Sequence, residues 1–141
     1  ELDKFKRIKV DGNLSIPGFP EILIAGDMAC VYLPGGGTVP MVAPAANQEG
    51  EYAAKLIRRR LKGKTLQNFK YFDKGSLAVI GRNRAVVELG GKRFGGFSAW
   101  IIWIFIHITF LIGFDNKLLV LLQWSWTYFT KKRGARLIIE K

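Results

Sequence analysis

Cysteine and histidine are nearly absent from this chain, which has one of each, Cys30 and His107, in 141 residues. A single thiol excludes an internal disulfide framework and leaves no resolving partner. Cys30 is therefore read as a small buried hydrophobe just past a strand, and a reducing compartment is expected. A single imidazole leaves no His pair and no Cys/His cluster, so no metal site is expected. Nothing resembles a Ser/His/Asp triad or a paired-acid site. His107 sits in an apolar run, where a packed ring with one hydrogen bond is the expectation and a proton-donor role the alternative.

The Gly-x-Gly-x-x-Gly fingerprint is also missing. Gly35, Gly36 and Gly37 have the wrong context, as do Gly90, Gly91, Gly95 and Gly96, so no turn here cradles a dinucleotide pyrophosphate. Acidic residues are scarce: 11 Asp and Glu stand against 22 Lys and Arg. Such an excess calls for a polyanionic partner, nucleic acid or an anionic membrane. Position decides between them. The basic residues crowd between 55 and 64 and again at Lys131, Lys132, Arg133 and Arg136, the second group directly after an apolar, Trp-rich segment. An anionic membrane surface, and no nucleic acid, is the partner this arrangement favours.

What is present is organised around residues 20–50. Residues 22–25 are short and aliphatic between Pro20 and Gly26, the pattern of a strand buried on both faces of a parallel sheet. Gly26 and Asp27 fall where that strand ends, a position from which a carboxylate can accept hydrogen bonds from a polyol. Residues 44–62 then show helical spacing, with Ala46, Gly50, Ala53, Ile57 and Leu61 on one stripe and Pro44 in the first turn. The helix start offers unpaired N–H groups and a partial positive charge to an electron-rich ligand. Lys55, Arg59 and Lys62 mark the outer face, and Gly63 the end.

Further along, Phe5 to Val10 alternates loosely as an edge strand. From residue 69 to 94 the period becomes two; residues 77–80 and 85–89 are strands of a small antiparallel sheet, separated by Gly81-Arg-Asn-Arg and closed by Gly90-Gly91. Arg82 and Arg84 are expected as turn residues, with a phosphate or lipid headgroup as the alternative. Residues 94–114 contain no Asp, Glu, Lys or Arg, long enough at about 1.5 Å per residue to cross about 30 Å of hydrocarbon, although Gly95, Gly96 and Gly113 shorten the helical part. Residues 118–130 are too short to return. Their Gln123, Thr127 and Thr130 form a narrow polar stripe, the pattern of a helix lying in an interface. Trp100, Trp103, Trp124, Trp126 and Tyr128 are amphipathic aromatics of the kind found at headgroup depth. A helical hairpin packed within a soluble protein, or a dimer contact, is the other reading of this tail.

The segments Ile16-Pro-Gly-Phe-Pro-Glu-Ile-Leu-Ile-Ala-Gly-Asp-Met-Ala and Ala43-Pro-Ala-Ala-Asn-Gln-Glu-Gly-Glu-Tyr-Ala-Ala-Lys-Leu-Ile resemble the C-terminal flavin-binding part of type II NADH dehydrogenases, single-subunit NADH:quinone oxidoreductases that carry FAD. The resemblance continues through Gly75-Ser-Leu-Ala-Val-Ile-Gly-Arg and the Trp-rich tail, and so covers essentially the whole chain. It implies that Gly26 and Asp27 hold the ribityl and phosphate side of FAD, with Ala43, Pro44 and Ala45 along the flavin and Ala46 and Gln48 on the quinone approach. The family often has Gln after the first Ala of this motif. Here that position is Pro44, so a quinone contact by that side chain does not carry over.

The resemblance further implies NADH and quinone as substrates of the whole enzyme and peripheral attachment to the cytoplasmic face of the cell membrane by the C-terminal helices. A homodimer through those helices is a further implied partner. With the pyrophosphate turns missing and a polar opening over residues 1–9, the chain is expected to be the C-terminal piece of a larger enzyme and inactive alone. The expected architecture is an α+β fragment in three segments: 1–64, the end of an FAD-binding α/β domain; 65–96, an antiparallel platform; 97–141, anchoring helices with a basic tail. A sulfide:quinone oxidoreductase-like flavoprotein and a non-enzymatic membrane-interaction module are the rivals. The first needs redox cysteines beyond Cys30.

Overall fold

A computed structural model describes residues 1–111 and 113–131. The chain packs as two units, Glu1–Lys74 and Gly75–Lys141. The residues just after 64 pack with the first unit, and the small sheet and the helical tail share the second.

In the first unit, β1 (Ile8–Lys9) pairs in parallel with β4 (Ala29–Cys30), and β2 (Ser15–Ile16) pairs antiparallel with β3 (Phe19–Leu23). The parallel-strand reading of residues 22–25 is therefore corrected. Their aliphatic run belongs to a hairpin strand whose Ile22 is exposed, and the Ile24 N–H donates to the Leu14 carbonyl across that hairpin at 2.9 Å. A short apolar run has no periodicity to separate a buried parallel strand from one side of a hairpin. The edge strand expected within residues 5–10 forms as β1, and it makes the parallel pair.

The unit's core is Leu14, Ala29, Val31, Val39 and Ala45, with Ile24, Tyr52, Phe69 and Tyr71 packed around it. Cys30 is fully buried beside it. The buried Arg7 guanidinium is held by Asp3 at 2.8 Å, by Thr38 Oγ1 at 2.8 Å and by the Val39 carbonyl at 3.2 Å, so its charge and its donors are satisfied inside the fold. Burial opposes ionisation of Asp3, but the Arg7 N–H and guanidinium and the Phe5 N–H outweigh it and hold the carboxyl at about 2.

Helix α1 (Ala43–Arg60) carries Pro44 in its first turn, as expected. The chain then turns to Gly63, which takes φ +64°, a conformation that favours glycine at helix ends. The stripe it buries is Ala45, Glu49 and Leu56 with half-buried Tyr52, one position earlier than the Ala46, Gly50, Ala53, Ile57, Leu61 stripe. Gly50, Ile57 and Leu61 are exposed. The shift follows from Glu49: a carboxylate on the buried side breaks the apolar pattern from which the stripe was read.

In the second unit, β5 (Ser76–Gly81), β6 (Arg84–Leu89) and β7 (Lys92–Gly96) form an antiparallel meander in that order. Asn83 at φ +61° and the Gly90-Gly91 pair at φ +56° and +76° make its two-residue turns. The third strand was not expected. Residues 92–96 fall inside the expected platform, but Gly95 and Gly96 obscure the alternation that would mark them as a strand. No strand forms over residues 69–73, which run without regular structure alongside the first unit.

Helix α2 (Phe97–Phe110) lies on the sheet, where Ala99 joins Ala85 and Val87 in the core and Leu77, Trp100 and Trp103 close around them. Glycine sets its start, with Gly96 at φ +94°. Helix α3 (Phe114–Thr130) follows Gly113 at φ +84°. At 14 residues, α2 is about 21 Å long, short of the about 30 Å of a hydrocarbon core. Among the described residues no helix is long and apolar enough to cross a membrane.

Candidate functional site

The strand end and the helix start do meet. After β3 the chain makes a single 3₁₀ turn, Gly26–Met28, packed against α1. Gly26 adopts φ +76°, and a Cβ there would touch the Ala46 side chain at 3.7 Å, so turn and helix are close without being crowded. Asp27 points its carboxylate into an exposed position. Its neighbour is anchored from the helix: Glu49, 2% exposed, accepts the Gly26 N–H at 2.6 Å. Burial pushes the Glu49 carboxyl above its usual range; the Gly26 N–H works against that and the Asp27 charge adds to it. Glu49 was not among the expected site residues. The signal for it is its place four residues after Ala45 and three before Tyr52, on the stripe that faces the core.

The start of α1 is open. Val42 stands at the N-cap in extended conformation with no side chain capping the first turn. Ala43 and Pro44 are exposed, whereas Ala45 turns its methyl into the core and its N–H to the Val42 carbonyl, so it offers the site only backbone. Ala46 is half-buried beside Gly26. Gln48 is committed elsewhere: its amide nitrogen donates to the Pro44 and Phe72 carbonyls at 3.0 Å, and its oxygen accepts the Phe72 N–H at 2.9 Å. It acts as a strut between α1 and the 64–74 stretch, leaving Phe72 exposed.

A small-residue rim, the exposed Asp27 and the positive end of α1 form a cradle in which Asp27 is the acceptor, while Pro44 has no N–H and the Ala45 and Ala46 N–H groups both go to the Val42 carbonyl, so the helix start contributes its dipole rather than a row of open donors. The Asp27 carboxylate fits the hydroxyls on the polyol side of a flavin nucleotide. The described residues hold no turn for its pyrophosphate.

The tail aromatics form a second, separate arrangement. Trp103 stacks on Trp124 with centroids 5.3 Å apart and planes 11° apart; Trp100 meets Tyr128 at 5.6 Å, and Phe97 meets Trp100 at 5.7 Å. Three of the four Trp thus join α2 to α3, and Trp126 alone is largely exposed. The ring of His107 lies 4.0 Å from Trp103, and its Nδ1 bonds the Trp103 carbonyl at 2.9 Å, the packed ring with one hydrogen bond that was expected, though on an exposed side. Arg82 places its guanidinium 4.6 Å from the Tyr128 ring and donates to the Tyr128 carbonyl, so it joins the sheet corner to the last turn of α3. Lys131 follows in left-handed conformation at φ +54°. Lys132, Arg133 and Arg136 lie outside the described residues.

These two features make up an α+β chain: a buttressed strand-to-helix junction, and a meander bearing an aromatic helical hairpin. Residues 74–133 match the NDH2 C-terminal domain family. The whole chain aligns at 41% identity with the type II NADH:quinone oxidoreductase Ndh of Mycobacterium tuberculosis, and 98% of it at 34% with NdhA of the same organism. It spans about 30% of the length of each, 30% and 29% respectively. Among solved structures, NDH2 of Plasmodium falciparum in complex with NADH shares the fold, with a TM-score of 0.75 at 16% identity over 94% of this chain and 41% of that one. The chain belongs to the type II NADH:quinone oxidoreductase family, as its C-terminal part.

Proposed function

We propose that this chain is the carboxyl-terminal portion of a peripheral-membrane flavoenzyme that oxidises NADH and reduces quinone. The observation that carries the reading is the Gly26–Asp27 junction against α1, in a chain aligned along its whole length with type II NADH:quinone oxidoreductases. When bound, FAD supplies the two-electron step between the two substrates. Gly26 admits it closely and the Asp27 carboxylate accepts hydrogen bonds from its polyol or phosphate side. Ala43, Pro44 and the Ala45 backbone flank its ring at the positive end of α1. Ala46 and Gln48 border the quinone approach, with Gln48 fixing Phe72 there.

The hairpin of α2 and α3 attaches the enzyme to the cytoplasmic face of the membrane without crossing it, and it is also the surface through which a second copy would pair. In α3, Phe114, Leu118, Leu122 and Trp126 recur every four residues and are all exposed, on the side away from Gln123 and Thr127. The relatives named above are NADH:quinone oxidoreductases, which supports this reading over a sulfide:quinone enzyme or a non-enzymatic module. Asp27→Ala in the full-length protein tests the cradle. Loss of a charged acceptor worth about 1.5–3 kcal/mol should lower flavin content after dialysis, with Asp27→Asn milder. Unchanged flavin content in Asp27→Ala would contradict the assignment.

A further inference from the structure

The second unit contains an open groove of about 740 Å³ between α2, α3 and the Gly81-Arg82 corner of the sheet. Its walls are apolar and aromatic: Trp100, Ile101 and Ile104 from α2, and Leu121 and Trp124 from α3. Two cations, Arg82 and Lys131, line it and no carboxylate does. Both cations stand by the end of α3. Arg82 is fixed there by the Tyr128 ring and carbonyl, and Lys131 is the third residue after Tyr128. The Tyr128 carbonyl, which at a helix end would repel an anion, is already satisfied by Arg82, and a guanidinium with five N–H donors keeps others for a ligand. Lys131 is exposed and three-donor.

A trough with apolar walls and paired cations at one end is complementary to an amphiphile with an anionic head. A neutral chain would leave the cations unanswered. A free anion would leave the aromatic walls wet. We propose that the groove holds one acyl chain of a single anionic phospholipid, its phosphate on Arg82 and Lys131. The inference rests on the reading of the hairpin as facing a membrane, and it deepens that reading from general attachment to a built lipid site. The groove lining does not include Phe114, Leu118, Leu122 or Trp126, so site and attachment face can be separated.

The test uses the full-length protein, delipidated in neutral detergent. Native mass spectrometry with added phosphatidylglycerol or phosphatidylcholine reads retention of a single lipid, and vesicle co-sedimentation reads attachment. Phosphatidylglycerol should be retained at least about tenfold better than phosphatidylcholine, as two cations beside one phosphate imply. Lys131→Gln should reduce that preference, and Ile101→Trp, which fills the groove and leaves both charges, should remove retention. Both variants should still pellet with vesicles. Equal retention of the two lipids, or retention unaffected by Ile101→Trp, would overturn the groove assignment. A protein that pellets with vesicles yet shows no such preference would do so while leaving membrane attachment standing.

Discussion

Glu49 shows how one side chain can shape a site it does not line. Its carboxylate is buried and its hydrogen bond to the Gly26 N–H ties the 3₁₀ turn to α1. Removing it leaves that N–H without its partner, at a cost of about 1–3 kcal/mol. Glu49→Ala should therefore reduce hydrogen-exchange protection of the Gly26 amide, while Glu49→Gln, which keeps an acceptor oxygen, should largely retain it. The pH dependence has a definite sign. Folding raises this carboxyl's pKa, so its contribution is fully present below the ordinary carboxylate range, about 4.3, and is lost as pH rises through the folded value. Glu49→Gln does not titrate and should gain on the wild type between acid and neutral pH. A stability difference constant across that window would refute the burial argument. At this scale the sequence was readable where a residue stood alone, as with the buried Cys30. Glu49 escaped because a buried carboxylate is the one residue type that an apolar stripe excludes.

Elements were legible where periodicity was long and caps were clear, as in α1 with Pro44 near its start and Gly63 past its end. They were obscured where glycine replaced the side chains that carry the pattern. β7 ends in Gly95 and Gly96, and its pairing with β6 follows from the tight Gly90-Gly91 turn rather than from alternation. Glycine is also required just before the meander's first strand. Gly75 sits at φ +85°, and a Cβ on it would collide with the Glu88 carbonyl in the neighbouring strand. Gly75→Ala should destabilise the sheet by about 1–3 kcal/mol through this clash, with added backbone strain, and lower its unfolding midpoint in denaturant. An unchanged midpoint would show that the strand start tolerates displacement. The aromatic count was legible too, but its use was not. Composition cannot say that Trp103 and Trp124 would meet each other.

Across the whole molecule the family resemblance was legible from two segments, because a strand-end Gly-Asp followed by a helix opening on small residues is far more restrictive than either part. The attachment of the tail is where a test has most consequence. Removing everything after Gly96 would be ambiguous, since Ala99 covers Ala85 and Val87 and its loss uncovers the sheet. Exchanging the exposed α3 stripe avoids this. With Phe114, Leu118, Leu122 and Trp126 all replaced by Ser in the full-length enzyme, the hairpin keeps its Trp103–Trp124 stack and the Gly26–Asp27 junction is untouched. The direct measurement is vesicle co-sedimentation of that variant beside NADH oxidation with ferricyanide and with membrane-embedded quinone. The variant should shed from vesicles, keep its ferricyanide rate, and turn over embedded quinone poorly. A folded variant that still pelleted, or that lost both activities equally, would contradict a tail that delivers the enzyme to its acceptor.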